Sequence, residues 1–353
     1  MQYLSDRTYG CRAMEIILAG NQALIIENEK IRLIILPDKG CDIAEFTYKK
    51  NDTSFLWRTN NGLKSLDKTH KIYSNFFTQA YHGGWFEAFP NVGLSCNYKG
   101  VAFEPYDEVA FLPWRFSVIK DEPEELVISF EAKTLKTPFK INKILTLQSQ
   151  STAIRFDETI TNMGNEPVGY QWGHHPLLGQ PFLSEDCVID FDGADIECLF
   201  EPDTARIYQG TKGQWPVLKG KETDIDIRNV PAPHAGSNEL YWMSNLQANW
   251  MAVRNPAINT GFGIAWDPEM FKYCLLWVNA NGDTGNPHYG NCYTICIMPS
   301  TSGVHTLEAE SKHGTLNTLP PRETAKTWIT ATAFKADNKV VKEVRRDGRI
   351  LFE

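Results

Sequence analysis

The sequence predicts an all-β fold, a large antiparallel β-sandwich. Three observations lead to this prediction. Short runs rich in β-branched and aromatic residues recur along the chain. Glycine, proline, asparagine and aspartate stand between these runs as turn residues. A helical period of 3.6 residues is almost absent. Many short strands separated by turns are typical of two stacked sheets.

The individual strands follow from these runs. Residues 23–28, 31–37, 40–48 and 54–58 predict four strands near the start of the chain, and the Pro-Asp-Lys-Gly sequence marks a turn within them. Between residues 100 and 162 strand runs come at regular intervals, at 101–103, 109–116, 126–130, 141–147 and 153–160. Later strand runs cover residues 261–267, 273–279, 293–299 and 327–334.

One segment departs from this pattern. Residues 238–251 are the single helical candidate, with a loop as the alternative. Residues 279–291 are rich in glycine and asparagine and predict a long turn or a substrate lid.

The chain is predicted to form one domain. No internal repeat, low-complexity tract or linker interrupts residues 1–353. The core is expected to span about residues 20–335, and residues 336–353 form a locally basic C-terminal tail. Within this tail, Asp347-Gly348 could close a hairpin.

Composition limits the classes of function. The chain is 42% hydrophobic and 22% charged, as in soluble globular proteins. A formal net charge of −8 argues against a nucleic-acid or anionic-membrane partner. Eight scattered cysteines without a CxxC pair indicate reduced thiols, so we expect a cytoplasmic protein without a zinc site. No signal peptide or membrane span is predicted.

The most informative stretch is residues 169–183, which contains His174 and His175 directly before Pro176. Side chains alternate across a strand, so the two histidines should point to opposite faces. One can then face a polar cleft while the other packs in the wall behind it. Histidine suits a general acid because its proton exchanges near neutral pH. The alternative is two structural histidines at a strand end.

A second stretch, residues 81–93, places His82 before Gly83 and Gly84 and close to Trp85 and Glu87. A glycine pair allows a ligand to approach closely, although it also simply makes turns. Aromatic residues form 12% of the chain, and their rings suit sugar stacking as well as ordinary β-core packing.

These motifs resemble the aldose 1-epimerase (galactose mutarotase-like) superfamily. The resemblance is strongest in Trp172-Gly-His-His-Pro-Leu-Leu-Gly-Gln-Pro-Phe-Leu183. It is supported by the Asn162-Met-Gly-Asn-Glu-Pro sequence, the Leu-Pro-Asp-Lys-Gly-Cys-Asp-Ile opening, His82-Gly-Gly, the Leu-Leu-Trp strand and Leu319-Pro-Pro-Arg-Glu-Thr. It covers roughly residues 20 to 335 and implies a single antiparallel β-sandwich.

The resemblance implies that the protein interconverts the α and β anomers of a free sugar. A base takes the proton of the anomeric hydroxyl and an acid protonates the ring oxygen, without a metal or cofactor. By resemblance, His175 is the general acid and His82 holds the substrate. Trp277 and Asp267 fall near the substrate-facing strands. We expect His174 and Trp85 to line the same cleft.

One position departs from the family. The family places a catalytic glutamate directly before a proline on a late strand, and here Met298 stands there. A thioether cannot accept a proton usefully. Glu87 is the predicted base, because its aromatic neighbours suggest a partly buried setting that could raise its pKa. Glu308 and Glu310, expected on one face of the next strand, and Glu108 are further candidates, and each could be an ordinary surface or strand-end carboxylate.

Two functions therefore compete. The first is an enzyme, a mutarotase-like isomerase. The second is a carbohydrate-binding protein that has lost its base. A metal enzyme built on the three histidines is disfavoured, because adjacent strand histidines diverge. Nucleotide cofactors are excluded, since no GxGxxG or P-loop appears.

The expected partner is a small-molecule sugar, and Arg58, Arg155 and Arg254 are candidates to pair an anionic substituent or are strand-edge charges. A homodimer through exposed strand edges is a hypothesis.

Overall fold

The computed structural model describes residues 6–65, 81–303, 306–337 and 339–353. Two antiparallel sheets face each other across a hydrophobic core within this part of the chain. The predicted all-β sandwich is therefore confirmed.

The larger sheet contains 14 strands among the described residues and carries both histidine motifs. In spatial order they are β1 (Arg12–Leu18), β2 (Asn21–Glu27), β3 (Ile31–Leu36), β4 (Asp42–Tyr48), β6 (Trp85–Ala88), β14 (Gly173–Leu178), β24 (Tyr293–Ser300), β23 (Tyr273–Ala280), β20 (Ser237–Ser244), β16 (Asp195–Cys198), β17 (Lys212–Gln214), β18 (Val217–Lys219) and β19 (Asp224–Asp226), with β5 (Thr53–Ser54) paired to β4.

The smaller sheet has eight strands within the described ranges. They are β15 (Val188–Asp190), β21 (Trp250–Asn255), β22 (Thr260–Trp266), β26 (Thr324–Phe334), β12 (Ala153–Asn162), β11 (Phe139–Gln148), β10 (Glu125–Lys133) and β9 (Arg115–Asp121). Three two-stranded ribbons complete the strands: β7 (Cys96–Tyr98) with β8 (Val101–Phe103), β13 (Val168–Tyr170) with β25 (Asn317–Leu319), and β27 (Val341–Val344) with β28 (Ile350–Phe352).

The hydrophobic core lies between the apolar faces of the two sheets. Buried and half-buried residues alternate along β10 and β11, as expected for strands with one face in a core. Aromatic rings join the sheets: Phe46 of β4 lies 6.0 Å from Phe262 of β22, and Trp85 of β6 lies 5.8 Å from Phe156 of β12. The interior of the sandwich is therefore packed across both layers.

The helical prediction for residues 238–251 is wrong. This segment covers most of β20 and the start of β21. Burial along β20 alternates between buried and half-buried positions, which is the two-residue period of a strand. Pairing with β23 over Ser237–Met243 outweighs the weak local helical signal.

A short α-helix, α1 (Leu307–His313), forms where a strand containing Glu308 and Glu310 was expected. The side chain of Thr306 caps it by accepting a hydrogen bond from the Ala309 amide, and Gly314 ends it in the left-handed conformation. Three short 3-10 turns cover Val109–Phe111, Pro233–Ala235 and Pro256–Ile258.

The C-terminal segment packs on the outer face of the smaller sheet. The predicted hairpin near Asp347-Gly348 is confirmed, since β27 and β28 pair across it. Val341 and Val344 are buried against Trp250 and Phe334. The single-domain organisation stays a prediction. All eight cysteines are free thiols. Within the described residues, the helices are too short or too polar to cross a membrane.

Replacing Phe262 with alanine should lower the free energy of unfolding by about 3–5 kcal/mol, because the ring is fully buried between the sheets. Urea denaturation would measure this loss. Tyr289→Ala is the control, because Tyr289 is 69% exposed, and its effect should stay within about 0.5 kcal/mol. Equal losses in the two variants would contradict the placement of Phe262 in the core.

Candidate functional site

Strand β14 sends its two histidines to opposite faces of the larger sheet, as predicted. In the register with β6, His174 lies opposite Glu87 and His175 lies opposite Phe86. The Nε2 atom of His174 lies 2.9 Å from an oxygen of Glu158 on the other sheet, so His174 points into the sandwich. The ring of His175 stacks on Phe86 at 4.4 Å on the outer face.

The inner face holds four polar side chains, Glu87, Lys143, Glu158 and His174, which we call the interior ion cluster. The Lys143 ammonium lies 2.6 Å from Glu87 and 3.7 Å from Glu158. The indole of Trp172 donates a hydrogen bond of 2.5 Å to Glu87. All four members of the cluster are buried. A buried charge is tolerated when it is paired in this way.

Burial and neighbouring charges together shift the pKa values of the two carboxylates in opposite directions. Burial raises the pKa of Glu87, and repulsion from Glu158 adds to the rise. Burial also works against ionisation of Glu158, but the attraction and hydrogen bonding of His174 and Lys143 together outweigh it and lower the pKa of Glu158. The expected rise in the pKa of Glu87 is therefore confirmed.

Three members of the cluster have the right atoms for a metal ion. The ligand atoms of Glu87, Glu158 and His174 lie within 4.8 Å of one another. The Lys143 ammonium, however, already lies between the two carboxylates and supplies a positive charge there. The residues fit a structural ion cluster better than a metal site, and the expectation of a metal-independent protein stays a prediction.

We use the name outer cleft for the group of buried residues on the outer face around His175. Its floor is apolar and consists of Phe86, Leu177, Cys296 and Met298. The ring of Tyr106 packs edge-on against His175 at 5.4 Å. Met298 therefore lies on the same face as His175.

Burial keeps His175 neutral. Loss of hydration lowers the pKa of His175 to about 3. Its Nδ1 atom is buried and has no hydrogen-bond partner among the described residues. A neutral imidazole can accept a proton at its unprotonated nitrogen, and it can donate its N–H proton when a neighbouring group returns a proton to the other nitrogen. Among the described residues, no such group contacts Nδ1 of His175, so its neutral, buried state favours a proton acceptor over the predicted general acid.

A second polar group lies at the edge of this face, formed by His82, Lys39 and Asp42. The ammonium of Lys39 lies 2.9 Å from Nδ1 of His82 and donates a hydrogen bond of 2.9 Å to Asp42. All three side chains are buried. Burial lowers the pKa of His82 well below its usual value, and the positive charge of Lys39 adds to this effect.

This geometry defines the tautomer of His82. An ammonium group only donates hydrogen bonds, so Nδ1 must accept the one from Lys39. The proton of the neutral ring then resides on Nε2, which is buried without a partner among the described residues. His82 therefore offers an N–H donor to a ligand.

Local backbone geometry explains how His82 reaches this position. Gly83 and Gly84 both have positive φ, 86° and 79°. A Cβ at Gly83 would lie 2.2 Å from the Trp57 carbonyl oxygen, and one at Gly84 would lie 2.7 Å from the Ile43 carbonyl oxygen. The tight turn predicted for this glycine pair is confirmed.

Sequence reasoning missed Lys39 and Asp42 as members of this group. A turn joins them, because the Asp42 amide donates to the Lys39 carbonyl at 3.1 Å. Their signal was the Pro-Asp-Lys-Gly-Cys-Asp sequence, in which opposite charges stand three residues apart. That sequence predicted a turn and supported the family resemblance, but it did not identify Lys39 or Asp42 as site residues.

Four residues predicted for the cleft are not brought to His175. Glu87, Trp85 and His174 all lie on the inner face of the sheet, because strand alternation places them opposite to Phe86 and His175. Asp267 lies after β22 of the other sheet, where its carboxylate accepts the Glu269 amide in a turn. Their assignment to the outer cleft is corrected.

Trp277 lies on the outer face, as expected. It pairs with Cys296 in the register between β23 and β24. Its indole donates a hydrogen bond of 2.8 Å to Asn238, and His288 from the 279–291 loop lies 6.2 Å from its ring. Trp277 and His288 thus lie beside the outer cleft.

The other candidate bases have structural contacts. The carboxylate of Glu108 accepts hydrogen bonds from the Leu135 and Lys136 amides at 2.7 and 2.6 Å. Glu310 accepts a hydrogen bond of 2.9 Å from Ser302. Glu308 is exposed and pairs with a lysine one turn later on α1. These contacts hold a loop, a buried polar network and a helix.

The three arginines differ in their availability to a ligand. Arg254 is buried and paired with Asp190, and Arg155 pairs with Asp157 on the smaller sheet. Arg58 keeps 58% of its side chain exposed and lies 3.3 Å from Glu45. It also bridges to Gly83, next to His82. Of the three arginines, Arg58 is the one beside the site.

Comparisons with known proteins agree with this architecture. A family model described as "Domain of unknown function (DUF4432)" matches residues 122–333, which is more than half of the chain. No curated protein matches the sequence.

Solved structures share the fold. A "putative aldose 1-epimerase" from Klebsiella pneumoniae has a TM-score of 0.73 at 16% identity, with 94% of this chain and 85% of that chain covered. A galactose mutarotase-like protein from Clostridium acetobutylicum has a TM-score of 0.65 at 13% identity, covering 92% and 99%. A "putative aldose 1-epimerase" from Escherichia coli K12 has a TM-score of 0.60 at 13% identity, covering 92% and 100%. The fold is galactose mutarotase-like, as predicted.

Lowering the pH from 7 to 5 should destabilise the wild type more than His175→Gln. Since the pKa of His175 is about 3 when folded and about 6.5 when unfolded, the unfolded state takes up the proton in this window. The free energy of unfolding therefore decreases as the pH is lowered from 7 to 5, and His175 accounts for about 2 kcal/mol of this decrease. Urea denaturation at both pH values would measure it. His313→Gln, at an exposed position, is the control. An unchanged pH dependence in His175→Gln would contradict the neutral, buried state.

Replacing Lys143 with methionine should lower the free energy of unfolding by about 3–5 kcal/mol, because two buried carboxylates lose their counter-charge. Adding Glu87→Gln should recover at least about 1 kcal/mol of this loss. Thermal and urea denaturation would measure both effects. The exposed Lys326→Met, on β26, is the matched control. If the effects of the two substitutions on the free energy of unfolding were fully additive, Lys143 and Glu87 would not interact and the ion cluster would be contradicted.

Proposed function

We propose that this chain, which belongs to the DUF4432 family, binds a free sugar in the outer cleft and interconverts its anomers by acid–base catalysis. The observation that carries this proposal is the contact of the Lys39 ammonium with Nδ1 of His82. That contact leaves the Nε2 proton as a donor on the same side of the sheet as the neutral His175. A proton donor and a proton acceptor are the two groups that the reaction needs.

The proposed proton transfers use the chain's own residues. His175 takes the proton of the anomeric hydroxyl, and the bond between the anomeric carbon and the ring oxygen breaks. His82 gives its Nε2 proton to that ring oxygen, while Lys39 passes a proton to Nδ1 of His82. The resulting aldehyde rotates about the bond to its neighbouring carbon. The reverse transfers then close the ring on the other face and restore both histidines.

The positive charge of Lys39 supports the role of His82 as the acid. It disfavours a second proton on the ring, so the Nε2 proton of the neutral form is the one that is transferred. Asp42 holds Lys39 in place with a hydrogen bond of 2.9 Å. Burial raises the pKa of Asp42, against the attraction of Lys39.

A non-catalytic sugar-binding protein is the second candidate, and Met298 favours it. The Met298 thioether lies on the face of His175, at the position where the family resemblance implied a glutamate base. The fold alone hosts both binding and catalysis.

The remaining expectations are proposals as well. We propose a single domain, a cytoplasmic location and a small-molecule sugar as the partner. A homodimer through exposed strand edges stays a hypothesis.

Anomer exchange followed by saturation-transfer NMR, on a panel of neutral, acidic and phosphorylated sugars, tests the proposed function. The wild type should accelerate exchange of at least one sugar. His82→Gln and His175→Gln should each lower the rate by about 10²–10⁴-fold, because each removes one proton-transfer group. Lys39→Met should lower the rate and change its pH dependence.

Glu308→Gln, on the exposed face of α1, is the control and should match the wild type. If Glu87→Gln abolished exchange while both histidine variants stayed active, the chemistry would belong to the inner face and the proposal would be wrong. Binding without accelerated exchange would establish the non-catalytic alternative.

A further inference from the structure

A polar cavity of about 590 Å³ opens beside the His82 group, and we call it the Arg58 cavity. It lies over the outer face of β3, β4 and β5. Arg32, Glu45 and Ser54 from these strands form its base, and Trp57 and Arg58 form one wall. Its volume falls in the range of small-molecule sites. Its lining is separate from the residues proposed for proton transfer.

The charges that line this cavity cancel. Arg32 and Arg58 share the carboxylate of Glu45, at 2.7 and 3.3 Å. Asp52 is the second acidic residue of the lining, and it helps Glu45 to raise the pKa of Arg32. Two positive and two negative side chains give the lining no net charge. Such a lining offers no electrostatic preference for an anionic ligand.

The uncharged part of the lining suits hydroxyl groups. Amide side chains from three loops line the cavity, and an amide group has both a donor and an acceptor. They belong to Asn60, Gln180, Asn281 and Asn291. Paired guanidinium and carboxylate groups add further planar donors and acceptors. A neutral polyol presents the same mixture of donors and acceptors on its hydroxyls.

Backbone pairing places this cavity next to His82. The Thr59 amide donates to the His82 carbonyl at 3.0 Å, and the Gly84 amide donates to the Trp57 carbonyl at 2.8 Å. The segment that forms the cavity wall therefore runs one strand spacing, about 4.8 Å, from the segment that carries His82. The cavity therefore adjoins the segment that carries His82, and its volume of about 590 Å³ has room for a sugar unit besides the one proposed at His82 and His175.

We infer that the Arg58 cavity binds a second, neutral sugar unit, so that the ligand is a neutral reducing disaccharide or longer saccharide. This inference rests on the proposed function for the orientation of the ligand. The reducing sugar lies in the outer cleft, at His82 and His175, and the next unit lies against Arg58, Glu45 and the amides.

Isothermal titration calorimetry tests this inference with glucose and galactose, with the reducing disaccharides maltose, cellobiose and lactose, and with glucose 6-phosphate. At least one disaccharide should bind about tenfold more tightly than either monosaccharide, which corresponds to about 1.4 kcal/mol. Ser54→Trp should remove this difference, because Ser54 lines the cavity and an indole would fill it. Ser117→Trp, at an exposed position on β9, is the matched control and should keep it.

Asp52→Asn provides a charge test. Asparagine keeps the shape of Asp52 and tolerates its φ of 52°. It leaves the lining with one net positive charge, so this variant should bind glucose 6-phosphate more tightly than the wild type does.

Three results would overturn the inference: no disaccharide binds more tightly than the monosaccharides, the difference survives Ser54→Trp, or glucose 6-phosphate is the tightest ligand of the wild type. Anomer exchange measured on the same samples separates this inference from the proposed function. A disaccharide preference without exchange would support the cavity and reject the catalysis. Exchange of monosaccharides without a disaccharide preference would support the catalysis and reject the second sugar unit in the cavity.

Discussion

The ion pair between Lys143 and Glu87 is the interaction on which the site depends. It lies inside the sandwich and connects β11 of one sheet with β6 of the other. Glu158 and His174 make the parallel connection between β12 and β14. Buried charges are costly, so the strands that carry them are held in one register. With β6 and β14 held in this way, strand alternation presents Phe86 and His175 on the outer face.

The two histidines of the outer face are neutral for different reasons. His175 is packed against aromatic rings, and burial accounts for its low pKa. His82 is also buried, but it faces the Lys39 ammonium as well. The tautomer of His82 is therefore defined by Lys39, whereas the Nδ1 atom of His175 has no partner among the described residues. In the proposed mechanism, this asymmetry gives the two rings complementary roles in proton transfer.

The charged groups are divided between the two faces of one sheet. The carboxylates of Glu87 and Glu158 point into the sandwich, toward Lys143, whereas the floor of the outer cleft around His175 is apolar. Charged side chains also lie on the outer face, where Arg58 pairs with Glu45 beside the group of His82, Lys39 and Asp42. A polar ligand would therefore contact charge at its far end and histidine at its reacting end.

The wrong placement of Glu87 in the outer cleft shows which information the sequence alone does not contain. The aromatic residues next to it in the sequence indicated burial, and burial raises its pKa. The face to which it points follows from its phase within β6 relative to His175 in β14, more than 80 residues away. The residues between them contain no information on that register. Glu310 was misplaced because a Thr306 cap and Gly314 made a helix where strands were expected.

The sequence by itself determined the all-β sandwich, the divergence of His174 and His175, and the glycine turn beside His82. These features depend on local periodicity and on backbone sterics, which neighbouring residues control. Only the tertiary structure decided that Glu87 pairs with Lys143, that Lys39 contacts His82, and that Arg58 adjoins the site. These contacts join segments distant in the chain, and strand pairing and burial across two sheets bring them together.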